Sequence, residues 1–385
     1  MSKDEKLNNG IKLRGKTYSY VLRVPDPTTG KTKPKWVGGF LTVKEAKAAR
    51  DKARVLLSTR DYIAPTKITL GEFLDRWIEI HARNLRLTSS ESYRLSIRRI
   101  KAVIGDVKLQ DVKPSHIEKL YAALQSEGAN RNGGALSAST AQYVGTVLKK
   151  ALRYAVETEG LLTFNPVSRV ARPKGVPASF NPWSFEELNQ FLQVAKTHRL
   201  GFYFHLSAFT GARRGELNAL RWSDFDGHAI TISKNRVKAF RKQVELNTTK
   251  GGKNGQRRVP LDPETCALFR EHRKRQLLER MALGEAWQDT GYIFTREDGL
   301  PIYVDTATNL FQQLASAAGL RHTRLHDLRH LHATELLRKR VPLHQVADRL
   351  GHRDAMVTAT IYAHVSSEDA DELALVFAKA SERFS

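Results

Sequence analysis

Two imidazoles and a guanidinium fall within five positions at His326, Arg329 and His330, in the segment HDLRH. On a helix, His326 shares a face with Arg329 at i, i+3 and with His330 at i, i+4. Three chemistries are open to such a cluster. A metal could take the two histidines, as on a zinc-protease helix. That pattern, however, puts Glu after the first His, where this chain has Asp327, and Arg329 would repel a divalent cation at short range. A packed core could absorb the helix through Leu328, Leu331 and Leu336. An oxyanion suits the polar groups better, because Arg offers a rigid fork of donors matched to phosphate and His donates or relays a proton.

Two further stretches bear on that choice. In TGARRGELNALRWSDFD, residues 210–226, a Gly-containing turn leads into a helix with Arg213 near its start. A guanidinium there would add to the positive end of the helix, and Glu216, one turn on, is spaced to hold it. Arg213 and Arg214 could equally form a surface ion pair. In RLGHRDAMVTATIYAHV, residues 349–365, Gly351 ends a helix, His352 follows, and Tyr362 comes ten residues later between Ile361 and Ala363. Taken alone, such a tyrosine reads as a core residue with a hydrogen-bonded hydroxyl.

The bulk numbers favour a polyanion partner. Lys and Arg total 63 against 40 acidic residues, a net charge of +23. Cations placed along phosphates release condensed counterions, so this excess points to nucleic acid; a solvated basic surface is the alternative. No concentrated basic amphipathic anchor points to a membrane, and the longest apolar runs, such as LALVF, are far too short to span one. The N-terminus, MSKDEKLNNG, has no apolar signal segment. A single cysteine, Cys266, excludes a disulfide framework and cysteine-based zinc sites, and agrees with a reducing cytoplasm. At 385 residues the chain is too long for one core, and 41% hydrophobic with 27% charged is globular composition.

The elements that must position these residues follow from local patterns. Residues 1–66 carry 15 Lys/Arg and 6 Asp/Glu. KTYSYVLRV and PKWVGGF read as strands joined by a turn at Asp26, Pro27 and Gly30, and Thr42 with Glu45 caps the helix that follows. Residues 69–160 read as four helices, with Thr69/Glu72 and Thr88/Glu91 as capping boxes. Their basic face (Arg94, Arg98, Arg99, Lys101) could follow a DNA backbone or simply be solvated. NPVSRVARPKGVPASFNP, residues 165–182, is a proline-rich linker. Ser184 with Glu187 opens the largest domain, mostly helical, with a β interruption at HAITISKNRVK, RKQVELNTT and QRRVPL.

Taken together, TGARRGE, HDLRH, and LGH followed ten residues later by Tyr resemble the tyrosine recombinase or phage integrase family, in the family's order and spacing. The resemblance is strong over 200–365 and looser over 1–180. It implies a multi-domain, mainly α fold with small β elements. The expected divisions are an arm-type DNA-binding domain at 1–66, a helical core-binding (SAM-like) domain at 67–164, a linker at 165–182, and a mixed α/β catalytic domain with a C-terminal tail helix at 183–385. It implies a site-specific recombinase that cuts and rejoins DNA through a 3′-phosphotyrosine to integrate or excise a mobile element. Tyr362 would be the nucleophile, His326 its base, Arg213 and Arg329 the phosphate clamp, and His352 a further phosphate donor. Lys250, or less well Lys253, would be the general acid on a β-hairpin turn; Glu216 and His330 would support the others. No cofactor is implied, neither a divalent ion nor ATP. The expected partners are double-stranded DNA at core and arm attachment sites and a homotetramer on that DNA, with an excisionase and a DNA-bending host factor as further candidates, in a nucleoid-associated cytoplasmic setting; the acidic tail could dock on a neighbouring protomer or pack in cis, and the sequence does not decide between them. A non-catalytic DNA-binding protein and a topoisomerase of the same chemistry are the competing readings.

Overall fold

The computed structural model describes residues 6–7, 10–25, 32–58, 63, 65–130, 133–175, 182–247, 249 and 255–352. The chain divides into two compact units, Met1–Pro177 and Ala178–Ser385. As the sequence implies, helices dominate and the sheets are small.

In the first unit, strands β1 (Lys6–Leu7), β2 (Ile11–Arg14), β3 (Thr17–Pro25) and β4 (Thr32–Phe40) form an antiparallel sheet in chain order. Alternation decides its faces. Ile11, Tyr20 and Leu22 form a small core with Ala46 and Ala53 of helix α1 (Val43–Ser58). The Thr42/Glu45 box opens α1, each side chain bonding the other residue's backbone N–H at 3.3 and 3.2 Å. On β2 the intervening residues Lys12 and Arg14 stack over Trp36 of β4, 5.4 and 4.2 Å from the ring centre. The expected Asp26–Gly30 turn lies outside the described residues.

Helices α2 (Leu70–His81), α3 (Leu87–Ile104), α4 (Pro114–Leu124) and α5 (Ala138–Glu157) enclose a second core built on Phe73, Trp77, Ile100, Leu120 and Leu148. The Thr69/Glu72 capping box is formed. The one expected at Thr88/Glu91 is not: α3 starts earlier, with Arg86 in extended geometry at the cap position, so Thr88 is already helical and its carbonyl accepts from Ser92 Oγ at 2.9 Å. Two of the four basic residues on α3, Arg94 and Lys101, pair with Glu79 and Asp75 of α2. Within the stretch 165–182, a short 3₁₀ turn at Pro166–Arg169 packs Val167 onto the helical core.

The second unit is organised around α7 (Gly201–Thr210), apolar nearly all round and almost wholly buried. Against it lie α6 (Phe185–Lys196), capped by Ser184 and Glu187, α9 (Pro263–Leu283), α10 (Thr306–Ala317) and α11 (Asp327–Arg338). Trp183, Phe191, Phe204, Phe269 and Phe311 fill the space between them. The single-turn α8 (Arg214–Leu217) follows α7, and α12 (Leu343–Leu350) closes the described chain.

The β interruption differs from its reading in sequence. HAITISKNRVK is not one strand: it splits into β5 (Ala229–Ile232) and β6 (Asn235–Ala239). β6 forms a hairpin with β7 (Lys242–Leu246) across Phe240 and Arg241, both at positive φ, whereas β5 pairs with β8 (Arg257–Pro260). The segment between β7 and β8 therefore joins two different two-stranded sheets.

Gly211 terminates α7 at φ +62°, and a Cβ there would fall 2.5 Å from Leu350 Cδ2. Gly211→Ala is expected to lower stability by about 1–3 kcal/mol through backbone strain and contact with α12. An unchanged urea midpoint would show that the turn is not constrained in this way.

Candidate active site

The end of α7 sets the first guanidinium. Thr210 is buried, and its hydroxyl accepts from Ala212 N–H at 3.2 Å as the chain turns through Gly211. Arg213 then occupies the cap position of α8. Its N–H donates to Glu216 Oε2 and its Nη1 to Glu216 Oε1, both at 2.9 Å. The i, i+3 pairing expected from the sequence is thus present, with Glu216 only 1% exposed. Because α8 is a single turn, little field comes from its N-terminus and the guanidinium itself supplies the charge. Gly215 lets the backbone of β6 approach: a Cβ there would meet Asn235 Oδ1 at 1.9 Å and Arg236 O at 2.8 Å.

HDLRH is not wholly helical. His326 is the residue before α11, and Asp327 opens the helix by accepting from Arg324 N–H at 2.9 Å. The two histidine rings still meet edge to face, 5.0 Å between centres. Arg329, 3% exposed, donates from Nη1 to Gly211 O and from Nη2 to Leu350 O, both at 2.7 Å. It thus ties the end of α7 to the end of α12. Gly351 caps α12 in the left-handed region, and His352 N–H closes back on Ala347 O at 2.9 Å, which fixes where that imidazole begins.

A third guanidinium completes the site, one that the motif reading missed. Arg257 Nη2 donates to Glu216 Oε2 at 2.9 Å, and its side chain is 6% exposed. The signal was present in the period-two alternation of RRVP. Arg258 points outward to Asp226, while Arg257 lies on the same side of β8 as buried Val259.

The electrostatics follow from these contacts. Burial alone would raise the Glu216 pKa, but Arg257 and Arg213 outweigh it and hold it below the usual carboxylate range. Burial, reinforced by Arg213 and Arg257, brings the Arg329 guanidinium down to about 9, still charged at neutral pH. His326 reaches solvent, yet lost hydration in the cleft together with His330, Arg329 and Arg213 pushes it down to about 4. His352 is pushed down to about 4 by burial and then by Arg329, Arg213 and Arg257, and His330 is lowered chiefly by burial. Among the described residues, Arg213 and Arg257 pair with Glu216 while Arg329 bonds the carbonyls of Gly211 and Leu350, and the imidazoles stay neutral first because burial disfavours their charged form and then because the nearby arginines make the field positive. Such a site is built to receive an anion.

Arg213, Glu216, His326, Arg329, His330 and His352 therefore come together from three separate motifs, the first more than 100 residues before the other two. Lys250, Lys253, Tyr362 and the C-terminal tail lie outside the described residues. The chain on either side of the lysines is described: Thr249 is 1% exposed, and a Cβ on Gly255 would fall 1.8 Å from its Oγ1, so the two ends of that excursion touch.

Comparison with known proteins places this arrangement. Residues 183–369 match the phage integrase family, 69–125 the phage integrase N-terminal SAM-like domain, and 10–53 an arm DNA-binding domain. The chain is 28% identical to a XerC-like tyrosine recombinase of Caldanaerobacter subterraneus, covering 84% of this chain and 86% of that one. It is 27% identical to the ICEBs1 integrase of Bacillus subtilis over 62% of this chain and 65% of that one. Its fold is similar to that of the Tn1549 transposon integrase, solved with transposon right end DNA (TM-score 0.67, 19% identity, 81% of this chain and 100% of that one). It is also similar to lambda integrase, solved as a dimer on a core site (TM-score 0.56, 20% identity, 94% and 96%). The chain belongs to the phage integrase family of tyrosine recombinases and is a site-specific DNA recombinase.

Proposed function

We propose that this recombinase integrates and excises a mobile element, and that the buried cationic pocket around Arg213 and Arg329 holds the scissile phosphodiester. The observation that carries the reading is the charge imbalance among the described residues: Arg213, Arg257 and Arg329 lie around Glu216, the neighbouring Asp327 is already paired with Arg324, and neutral imidazoles line the rim. A phosphodiester supplies the missing negative charge and offers two non-bridging oxygens to the arginines.

In the step proposed, the Tyr362 hydroxyl attacks phosphorus and its proton passes to the neutral His326 imidazole. A bond forms from Oη to phosphorus, the bond from phosphorus to O5′ breaks, and O5′ takes a proton from the Lys250 ammonium. A 3′-phosphotyrosine and a 5′-hydroxyl result. Arg213, Arg329 and His352 stabilise the charge on the pentacoordinate phosphorus. Glu216 holds Arg213, and His330 packs against His326. Bond energy is conserved in the phosphotyrosine, so the scheme consumes no ATP, and the arginines supply the electrostatic work a divalent ion would otherwise do.

The division into an arm domain (1–66), core-binding domain (67–164), linker (165–182) and catalytic domain with tail (183–385) belongs to the same proposal. So do a homotetramer on DNA, an excisionase, a bending host factor and a cytoplasmic, nucleoid-associated setting. Among the described residues no helix is long and apolar enough to cross a membrane. The Lys12–Trp36–Arg14 stack on the N-terminal sheet supports arm-site binding, since a β-ribbon fits the major groove.

A suicide substrate nicked beside the crossover position should trap wild-type protein covalently on DNA, and Tyr362→Phe should trap none. Equal trapping by both would remove Tyr362 from the mechanism. Arg329→Ala should lower the cleavage rate at saturating DNA by the equivalent of roughly 3–4 kcal/mol. Weakened binding with normal cleavage would contradict the clamp.

The low histidine pKa values give a pH test. His326 and His352 sit at about 4 when folded, against an ordinary 6.5, and His272 and His332 share that direction. The unfolded chain therefore binds more protons between those values. Stability is complete above about pH 6.5 and declines as the pH falls towards 4. The urea midpoint should drop across that window, and bound core DNA should flatten the drop by raising the two pocket histidines. A DNA-independent slope would separate those histidines from the phosphate.

A further inference from the structure

The proline-rich stretch after α5 is fastened more firmly than a linker requires. Asn165 Nδ2 donates to Lys149 O at 2.8 Å, Gln142 Nε2 donates to Pro173 O at 2.6 Å, and Pro166 and Val167 are buried against the helices. Residues 165–173 are thereby held along α5 at both ends. Between this edge and helices α4 and α5 lies a cavity of about 170 Å³.

The lining of the cavity is polar and cationic. Tyr121 comes from α4, Lys149 from α5, and Ser168 and Arg172 from the fastened stretch. No carboxylate is among the lining residues, and among the described residues neither Lys149 nor Arg172 forms an ion pair. The Thr146 hydroxyl also borders the cavity, but it donates its proton to Gln142 O at 2.9 Å.

Tyr121 is the part that a solvated basic surface does not explain. It is 7% exposed, and its hydroxyl makes no hydrogen bond among the described residues. That hydroxyl stands where a side chain on α5 would otherwise be: a Cβ on Gly145, which also lines the cavity, would fall 2.0 Å from Tyr121 Oη. Burial raises the Tyr121 pKa, and the nearby Arg172 works in the other direction. A buried hydroxyl without a partner is costly, and an oxyanion would take its proton. Two cations and two hydroxyls from three segments are a donor set for a tetrahedral oxyanion. In a DNA recombinase with a net charge of +23, the oxyanion in greatest supply is the phosphate of the DNA backbone.

We propose that Tyr121, Lys149, Ser168 and Arg172 form a seat for one backbone phosphate of the bound DNA, so that this phosphate bridges the four-helix core to the stretch that follows it. The seat lies outside the catalytic unit and does not rest on the roles proposed there.

The full chain on a duplex carrying its core site supplies the test. The double variant Lys149→Gln/Arg172→Gln should weaken binding by the same factor on core and unrelated duplexes, and should lower the slope of log affinity against log salt by about 1. Tyr121→Phe removes one oxygen from a packed ring; it should stay folded by thermal unfolding, keep the wild-type slope and bind about tenfold more weakly. The deciding arm is a set of core duplexes, each with a single phosphate made neutral as methylphosphonate. One position should cost the wild type about tenfold and cost the double variant nothing further, while every other contacted position costs both alike. Equal losses for the two proteins at all positions would overturn the seat, as would wild-type affinity in either variant. Inorganic phosphate that shifts the Tyr121 ring resonances alongside such equal losses would mean an adventitious ion only, and would overturn it as well.

Discussion

The catalytic unit depends on a buried charge that its own residues leave unbalanced. Placing three guanidiniums in a cavity with one carboxylate costs free energy, and the protein offsets part of that cost by giving each cation strong acceptors. Glu216 serves Arg213 and Arg257; the carbonyls of Gly211 and Leu350 serve Arg329; those of Gly255 and Arg349 serve Arg257. Most of these acceptors are carbonyls at helix ends or turns, which lack partners within the helix. The charges proposed to hold the phosphate also fasten the C-terminal ends of α7 and α12 together.

That economy explains the glycines. Gly211 and Gly351 adopt left-handed backbone conformations that end their helices and turn a carbonyl towards an arginine, and neither position has room for a Cβ. Gly215 does the same work without a positive φ, by admitting β6 against α8. A side chain would meet the Arg257 guanidinium at Gly351, Leu350 and His332 at Gly211, and Asn235 with the Arg236 carbonyl at Gly215.

Much of this was legible in the sequence because the motifs report contacts that recur in chain order. TGARRGE encodes the turn, the cap and the Glu216 pairing; LGH encodes the αL cap before His352; Thr69/Glu72 and Ser184/Glu187 encode helix starts that are formed as read. What local pattern could not give was pairing over distance. Strand alternation marks β5 to β8 as extended but does not say that β6 takes β7 while β5 takes β8. Thr88/Glu91 has the letters of a capping box, yet burial of Ser90, Ile97 and Ile100 favours a helix that starts earlier. Arg257 sits in a strand whose alternation marks it as inward, but only the fold reveals that inward means towards Glu216.

The low histidine pKa values acquire a purpose on the proposed reading. A base with a pKa near 4 is neutral at physiological pH and so able to accept a proton, but it is a weak acceptor. A phosphodiester entering the pocket cancels the positive field of Arg213 and Arg329, which is one of the causes holding His326 down, and raises its affinity for a proton. The imidazole therefore becomes an effective base only once the phosphate that needs it is in place. On that reading, proton abstraction by His326 is coupled to DNA binding through the electrostatics of the pocket.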